Sequence, residues 1–537
     1  MSIDNIDLED SINALPLGSH IVESTPIGPK EAFIHHLPNE LLVDIFHLLI
    51  IEAAEMDTDS INYYLPYSWV VPLLGVCMRW TAIVEDTPIL WRHVAIVDGM
   101  FDLVLETILI RAGKGPLYVT TYMEGPSGTA ELISCMTRVL QELPRIRSFQ
   151  AHIPVSVWKV AVKLISQGQS QHLRSIIFHT EDLEEGLVLT SHSVNYPILR
   201  TFVMPGISAK TSVHFLSHHD HLREVDIMQF EDIPVMCSVL GALCNLPLLE
   251  KLTLSPGVVG SDHVIPSSIP NAKLPKLQYL SLWLSLRCDA LFLEHLIIPS
   301  TTKIDAVFSI YHDGNPEAPD LQALTALTTK FRGIGIIGKP PAFKAVQFVS
   351  HIYGYDLAFV ARTNIPTDIG SPDFNEFSLR ILFQDEQAEL KQPPIDRRWA
   401  IWQQLPLSEL EYVSMDHSIG KDLWNQIAET LDHIKILHLP DADTLNSFGS
   451  LYVETAPPNP SLGYFSSLHT LCLTGAKPSS PDDPGVNGLL QYLNICQIDG
   501  GLERLVVVKD WDELDDTTVK QIKDLVGEVI LGTPESY

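Results

Sequence analysis

The sequence has little positive charge. Its 537 residues carry 35 Lys and Arg against 66 Asp and Glu, a formal net charge of -31. Binding a phosphate backbone needs a basic surface, so no nucleic acid partner is expected, and no anionic membrane surface either. Cysteine is sparse too. Cys77, Cys135, Cys237, Cys244, Cys288, Cys472 and Cys496 are scattered, odd in number and never paired as C-x-x-C. That pattern argues against a disulfide framework or a zinc site. The one Asn-x-Ser/Thr string, Asn459-Pro460-Ser461, is disqualified by its proline. Met1 to Pro29 is acidic and lacks the basic and apolar regions of a signal peptide. No apolar run reaches membrane-spanning length. No membrane contact is expected, and a reducing compartment, cytoplasm or nucleus, is. There is no G-x-S-x-G elbow and no H-E-x-x-H.

What is present suits a folded protein: 46% hydrophobic and 19% charged residues. The length exceeds one ordinary core, so two or more units or a repeat array are expected.

Residues His36 to Val94 read as a small helical module. Pro38 suits the first helical turn, and Asn39, Glu40 and Asp44 sit early, where the helix dipole favours negative charge. Leu41, Leu42, Ile45, Phe46, Leu48 and Leu49 recur at three- and four-residue steps. Leu73, Val76, Cys77, Trp80, Ile83 and Val84 share a second helical face, and Leu90-Trp91 follows the Thr87-Pro88 turn. About sixty residues is at the small end of what buries a core alone. The bulky apolar side chains outnumber what such a core needs, so the surplus is expected to face a partner.

These residues resemble an F-box. The match is Leu37-Pro38-x-Glu40-Leu41-Leu42-x-x-Ile45-Phe46, then Val76-Cys77-x-x-Trp80, then Pro88-x-Leu90-Trp91. The resemblance implies a three-helix fold that docks onto the Skp-type adaptor of a cullin ubiquitin ligase. It implies an adaptor-binding set of Leu37, Pro38, Leu41, Leu42, Ile45, Phe46, Val76, Trp80, Leu90 and Trp91. Met78 stands where a basic residue is common in the family. The segment Glu52 to Ser68 is longer than the compact pattern, so an inserted loop or helix extension is expected there. A helix over Phe101 to Ala112, then Gly113 and a strand over Gly115 to Tyr122, resembles the junction after the F-box in mushroom-type fungal F-box proteins.

From there one pattern repeats: an apolar residue, another three later and a third two further on. Copies are Ile146-x-x-Phe149, Leu173-x-x-Ile176-x-Phe178, Leu199-x-x-Phe202-x-Met204, Leu222-x-x-Val225-x-Ile227, Leu249-x-x-Leu252-x-Leu254 and Leu277-x-x-Leu280-x-Leu282. Ile304-x-x-Val307 and Phe331-x-x-Ile334-x-Ile336 are weaker copies. First positions step by 27, 26, 23, 27, 28, 27 and 27 residues, the period of leucine-rich repeats. Further copies begin at Leu410, Ile434, Leu468 and Leu502. Each copy reads as a short strand facing a shared core, with a returning helix behind it, as at Cys237 to Leu243 and Cys288 to Leu293. Pro340 to Gln404 fits two more copies without a clean register. Trp511 to Leu531 reads as an amphipathic helix that caps the array. The expected fold is therefore an α/β solenoid: a flexible arm (1–30), a three-helix F-box (31–98) and an irregular leucine-rich-repeat array (99–537) with a C-terminal helical cap.

Other candidate sites are weaker. Gly333-x-Gly335-x-x-Gly338 has dinucleotide-loop spacing, but Lys339-Pro340-Pro341 blocks the helix that such a loop must open. His218-His219-Asp220-His221 gathers metal-ligand types without a second ligand group. The acidic run Asp512 to Asp516 suits a helix start better than calcium. No catalytic residue, cofactor or metal is expected. The sequence reads as a substrate-recognition subunit of a Skp–cullin–F-box ligase, whose partners are the adaptor, through it a cullin, and a substrate protein held by the repeats. The alternative is a scaffold that binds the adaptor without ubiquitin transfer, and the third class is an enzyme of unknown type.

Overall fold

The computed structural model describes residues 33–532, apart from 57–69, 98–99, 123–129, 180–195, 204–212, 256–267, 311–318, 367–376, 386–404, most of 416–432, 454–464, 475–483, 509–515 and some shorter gaps. The expected arm (1–30), most of the segment Glu52 to Ser68 and most of the acidic run lie outside the described residues.

The repeated apolar pattern builds strands because alternate side chains point to one face. The strands are β1 (His93–Ile96), β2 (Leu117–Tyr122), β3 (Ile146–His152), β4 (Ser175–His179), β5 (Thr201–Val203), β6 (Glu224–Met228), β7 (Lys251–Ser255), β8 (Ala272–Lys273), β9 (Tyr279–Leu284) and β10 (Leu296–Pro299). There follow β11 (Lys303–Ile310), β12 (Ile336–Ile337), β13 (Ala345–Ile352), β14 (Tyr355–Arg362), β15 (Leu379–Asp385), β16 (Tyr412–Met415), β17 (Ile436–Leu439), β18 (Thr470–Leu473), β19 (Leu502–Val508) and β20 (Val526–Gly532).

Seventeen of these form one large open sheet. Pair by pair, β1 to β7 follow chain order, then β9, β11, β15, β14, β13, β16 and on in chain order to β20. Every neighbour is parallel except around β14, which runs antiparallel to both β13 and β15. A separate parallel sheet joins β8, β10 and β12.

Between the strands run α1 (Asn39–Met56), α2 (Val71–Leu74), α3 (Met78–Asp86), α4 (Asp102–Arg111), α5 (Ala130–Leu140), α6 (Ile233–Leu243), α7 (Arg287–His295), α8 (Pro319–Phe331), α9 (Ala442–Val453), α10 (Pro484–Ile498) and α11 (Asp516–Leu525). The described first, fourth and sixth positions of the motif are buried in strand after strand, from Ile146 and Phe149 through Leu252 and Leu280 to Leu471 and Leu505. One continuous core runs from Leu42 to Val526.

Three expectations are corrected. The copy at Phe331 is not a strand of the large sheet. Phe331 ends α8, Ile334 is exposed, and Ile336 lies in β12. Gly333, Gly335 and Gly338 take positive φ there, which confines the strand to the two residues of β12. At Gly335 a Cβ would stand 2.4 Å from Lys330 Nζ. That buried ammonium donates to the carbonyl of Leu296 at 2.7 Å, and burial pushes it down to about 8. Gly335 thus makes room for a lysine rather than for a phosphate. Second, the stretch after Pro340 is not two further parallel copies. It forms an antiparallel set, β13, β14 and β15, wedged so that β15 meets β11 and β13 meets β16. Third, the tail helix stops at Leu525 and β20 follows, parallel to β19. The β-branched Val526, Val529 and Ile530 favour extended backbone, Gly527 lets the chain come close to the Glu503 carbonyl, and pairing satisfies the amides along β19.

Candidate docking surface

The helical module assembles around Phe46. Its ring lies 4.6 Å from that of Trp80, which α3 supplies. Leu42, Phe46, Ile50, Ile83, Val84, Leu90 and Trp91 are buried together. The Trp91 indole donates to the carbonyl of Val84 at 2.7 Å, and Arg111 lies over its ring at 4.6 Å. The Arg79 guanidinium donates to Asn39 Oδ1 at 2.7 Å and to the Leu37 carbonyl. It thereby ties the start of α3 to the start of α1.

At about 100° per residue, Leu42, Phe46 and Ile50 cover one arc of α1. Leu41, Ile45, Leu48 and Leu49 cover the next, and all four are exposed, Leu48 by 65%. Across the tie, Val71, Val76 and Met78 are exposed as well, Met78 by 90%. Large apolar side chains left in water at neighbouring positions mark an interaction surface.

The ten residues of the expected adaptor-binding set thus separate. Pro38, Leu41, Ile45 and Val76 are exposed, Leu37 and Trp80 half-buried, and Leu42, Phe46, Leu90 and Trp91 enclosed by the chain itself. The enclosed four hold the helices at their mutual angles, and the open ones are free to meet another surface. Leu48, Leu49, Val71 and Met78 were not in that set. The signal for Leu48 was present, since it lies seven residues from Leu41 on the same face. For Met78 the residue type gave no signal.

The module joins the sheet through β1. His93 stacks on Tyr118 of β2 at 4.8 Å and faces His47 of α1 at 6.3 Å. Burial first, and then His47, holds its imidazole down at about 4, so it stays neutral at physiological pH.

Two groupings carry enzyme-like residue types. His438 accepts or donates at Nδ1 with Ser414 Oγ at 2.9 Å and Tyr412 OH at 3.2 Å, and at Nε2 with Thr474 Oγ1 at 2.8 Å. Tyr412, Ser414 and His438 are all buried, so a substrate has no path to the serine. Burial holds His438 at about 4. His219 of the histidine cluster is buried, contacts the Phe215 carbonyl through Nδ1 at 2.7 Å and stacks on the Phe215 ring. No group of three or more metal-ligating side chains occurs among the described residues. No described helix is long and apolar enough to cross a membrane.

A family of F-box-like domains matches residues 34–97. No curated protein matches the chain by sequence. Among solved structures, a structural-genomics protein from Bacteroides fragilis aligns over 78% of this chain and 75% of its own, with 10% identity and a TM-score of 0.16.

Proposed function

We propose that the F-box-like segment docks this protein onto a Skp-type adaptor, and that the protein is the substrate-recognition subunit of a Skp–cullin–F-box ubiquitin ligase. The observation that carries this reading is the exposed apolar arc of Leu41, Ile45, Leu48 and Leu49 inside the matched segment. The chain then acts by position. It holds a substrate protein near a conjugating enzyme whose own cysteine carries the ubiquitin, which converts a bimolecular encounter into an effectively unimolecular one. No residue of this chain takes part in the chemistry. The body serves as an irregular leucine-rich-repeat solenoid. Support comes from the period in the twenties and from parallel strands that neighbour one another in chain order on both sides of the β13–β15 wedge. Its place of work is the cytoplasm or nucleus.

The test is co-purification of the full chain with a Skp-type adaptor and a cullin. Leu41→Asp with Ile45→Asp is expected to abolish capture, a loss of about 2 kcal/mol or more per buried anchor. Leu103→Asp, at a more exposed leucine on α4 outside the matched segment, is expected to leave capture intact. A folded wild-type chain that captures no adaptor overturns the reading. Adaptor without cullin supports the scaffold instead.

A further inference from the structure

The register of β3 to β6 sets arginine beside arginine. Arg147, Arg174, Arg200 and Arg223 each stand one residue before the aligned positions Ser148, Ser175, Thr201 and Glu224. Their backbones are bonded in sequence: Arg174 N–H donates to the Arg147 carbonyl at 2.8 Å, Arg200 to Arg174 at 2.7 Å, and Arg223 to Arg200 at 2.7 Å. Each follows a buried apolar residue, Ile146, Leu173, Leu199 or Leu222, so its side chain leaves on the opposite face. Neighbouring strands lie about 4.8 Å apart, and the row of four therefore spans about 14 Å.

The far half of the sheet supplies the comparison. Glu411, Lys435, His469 and Glu503 hold the equivalent place, one residue before the aligned positions Tyr412, Ile436, Thr470 and Arg504 of β16 to β19. There basic and acidic side chains alternate and pair within the row, Lys435 with Glu411 at 2.8 Å and His469 with Glu503 at 3.1 Å, and Arg504, one place further on, is answered by Glu528 at 2.9 Å. Among the described residues, only Arg223 of the arginine row has an acid, Glu250 at 2.7 Å. Arg147, Arg174 and Arg200 make no ion pair with a described residue. Lys114, Arg145, Arg147, His172 and Arg174 line a shallow cavity of about 350 Å³ beside them, and no carboxylate lines it among the described residues. The chain has 66 acids to 35 bases, so acids to answer this row are not scarce. Guanidinium stays charged at any physiological pH, and like charges on facing positions of a sheet repel. An oxyanion from outside relieves that repulsion.

We propose that this row docks a short acidic peptide segment of a partner protein, laid across the starts of β3 to β6 with its carboxylates or phosphates on Arg147, Arg174 and Arg200. The proposal deepens the receptor reading above and rests on it in taking that partner to be the substrate protein. An extended peptide advances about 3.4 Å per residue, so four or five residues cover the row. A short segment meets only this local charge, because salt screens beyond about 8 Å at physiological ionic strength. A long nucleic acid would run on across a surface whose net charge is negative.

Binding of labelled peptides to the full chain, read by fluorescence anisotropy, tests this. The probes are a glutamate-rich peptide, its phosphoserine counterpart, a glutamine and serine control, and a single-stranded oligonucleotide. One of the two acidic peptides is expected to bind, more weakly as salt rises, and whichever binds tighter names the oxyanion. Arg147→Gln, Arg174→Gln and Arg200→Gln together are expected to weaken it by about tenfold or more. Lys435→Gln with Arg504→Gln is expected to leave it unchanged. Equal binding by the triple variant, tighter binding of the oligonucleotide, or no peptide bound by the folded wild type overturns the proposal. Leu41→Asp with Ile45→Asp leaves the row untouched, so peptide binding without adaptor capture by the wild type sinks only the ligase reading.

Discussion

At the scale of the residue, burial decides what a side chain can do. His438 and Ser414 have the residue types of a catalytic pair, yet both are sealed in the sheet, and their hydrogen bonds serve stability. Two titratable groups, buried His438 and half-buried Asp226, pull stability in opposite directions with pH. His438 falls from 6.5 to about 4 through burial. The unfolded chain then binds more protons between those values, so this histidine's contribution is present above 6.5 and lost as pH falls towards 4. Asp226 rises from 3.8 to about 7, chiefly through burial. Here the folded chain binds more protons, so its contribution is lost as pH rises through that range. Urea midpoints compared between pH 7 and pH 5 are expected to separate the two. His438→Gln should lose less stability than the wild type on acidification, and Asp226→Asn should lose more. Identical pH slopes in all three proteins would contradict both assignments.

At the scale of the element, shape governs where charge does not. Helices α9 and α10 meet through glycine: a Cβ on Gly488 would stand 2.2 Å from Gly449 Cα, which is backbone and cannot swing aside. Gly488→Val is therefore expected to push the helices apart and cost at least about 2 kcal/mol, measured as a lowered urea midpoint. The same substitution at Gly241, which has open space around it, is expected to cost about 1 kcal/mol or less. The strands of the regular copies were legible because inward apolar residues recur at a fixed spacing. The β13–β15 wedge was not, because an antiparallel hairpin shows the same alternation as a parallel strand. In the tail, the apolar residues up to Leu525 did announce α11. The change to β20 at Val526 depended on a partner strand, β19, that lies apart from it in sequence.

At the scale of the whole molecule, the F-box-like segment is not a detachable bead. Its last strand, β1, pairs with β2 along four residues, and one core spans both. Cutting it away exposes the edge of β2, and an unpaired edge invites association. A chain beginning at residue 98 is expected to elute as aggregate in size-exclusion chromatography, where point variants of Leu41 and Ile45 stay monodisperse. A monodisperse truncated chain would show that the core divides. The net charge of -31 also acts on the whole, since self-repulsion opposes the compact state. Melting temperature is expected to rise as salt is raised from low to physiological concentration.

The sequence by itself determined the local periods: a helical module with surplus apolar residues near one end, and short strands recurring every twenty-odd residues. Periodicity is a property of neighbours along the chain, so it can be read without coordinates. Only the tertiary structure decided which module residues remain open, since Leu41 and Leu42 are the same residue type one position apart and differ only in what packs over them. It alone placed Arg147, Arg174 and Arg200 side by side, because register between strands joins residues more than twenty positions apart. And it alone wedged three strands into the middle of the sheet, where pairing depends on which edges stand open.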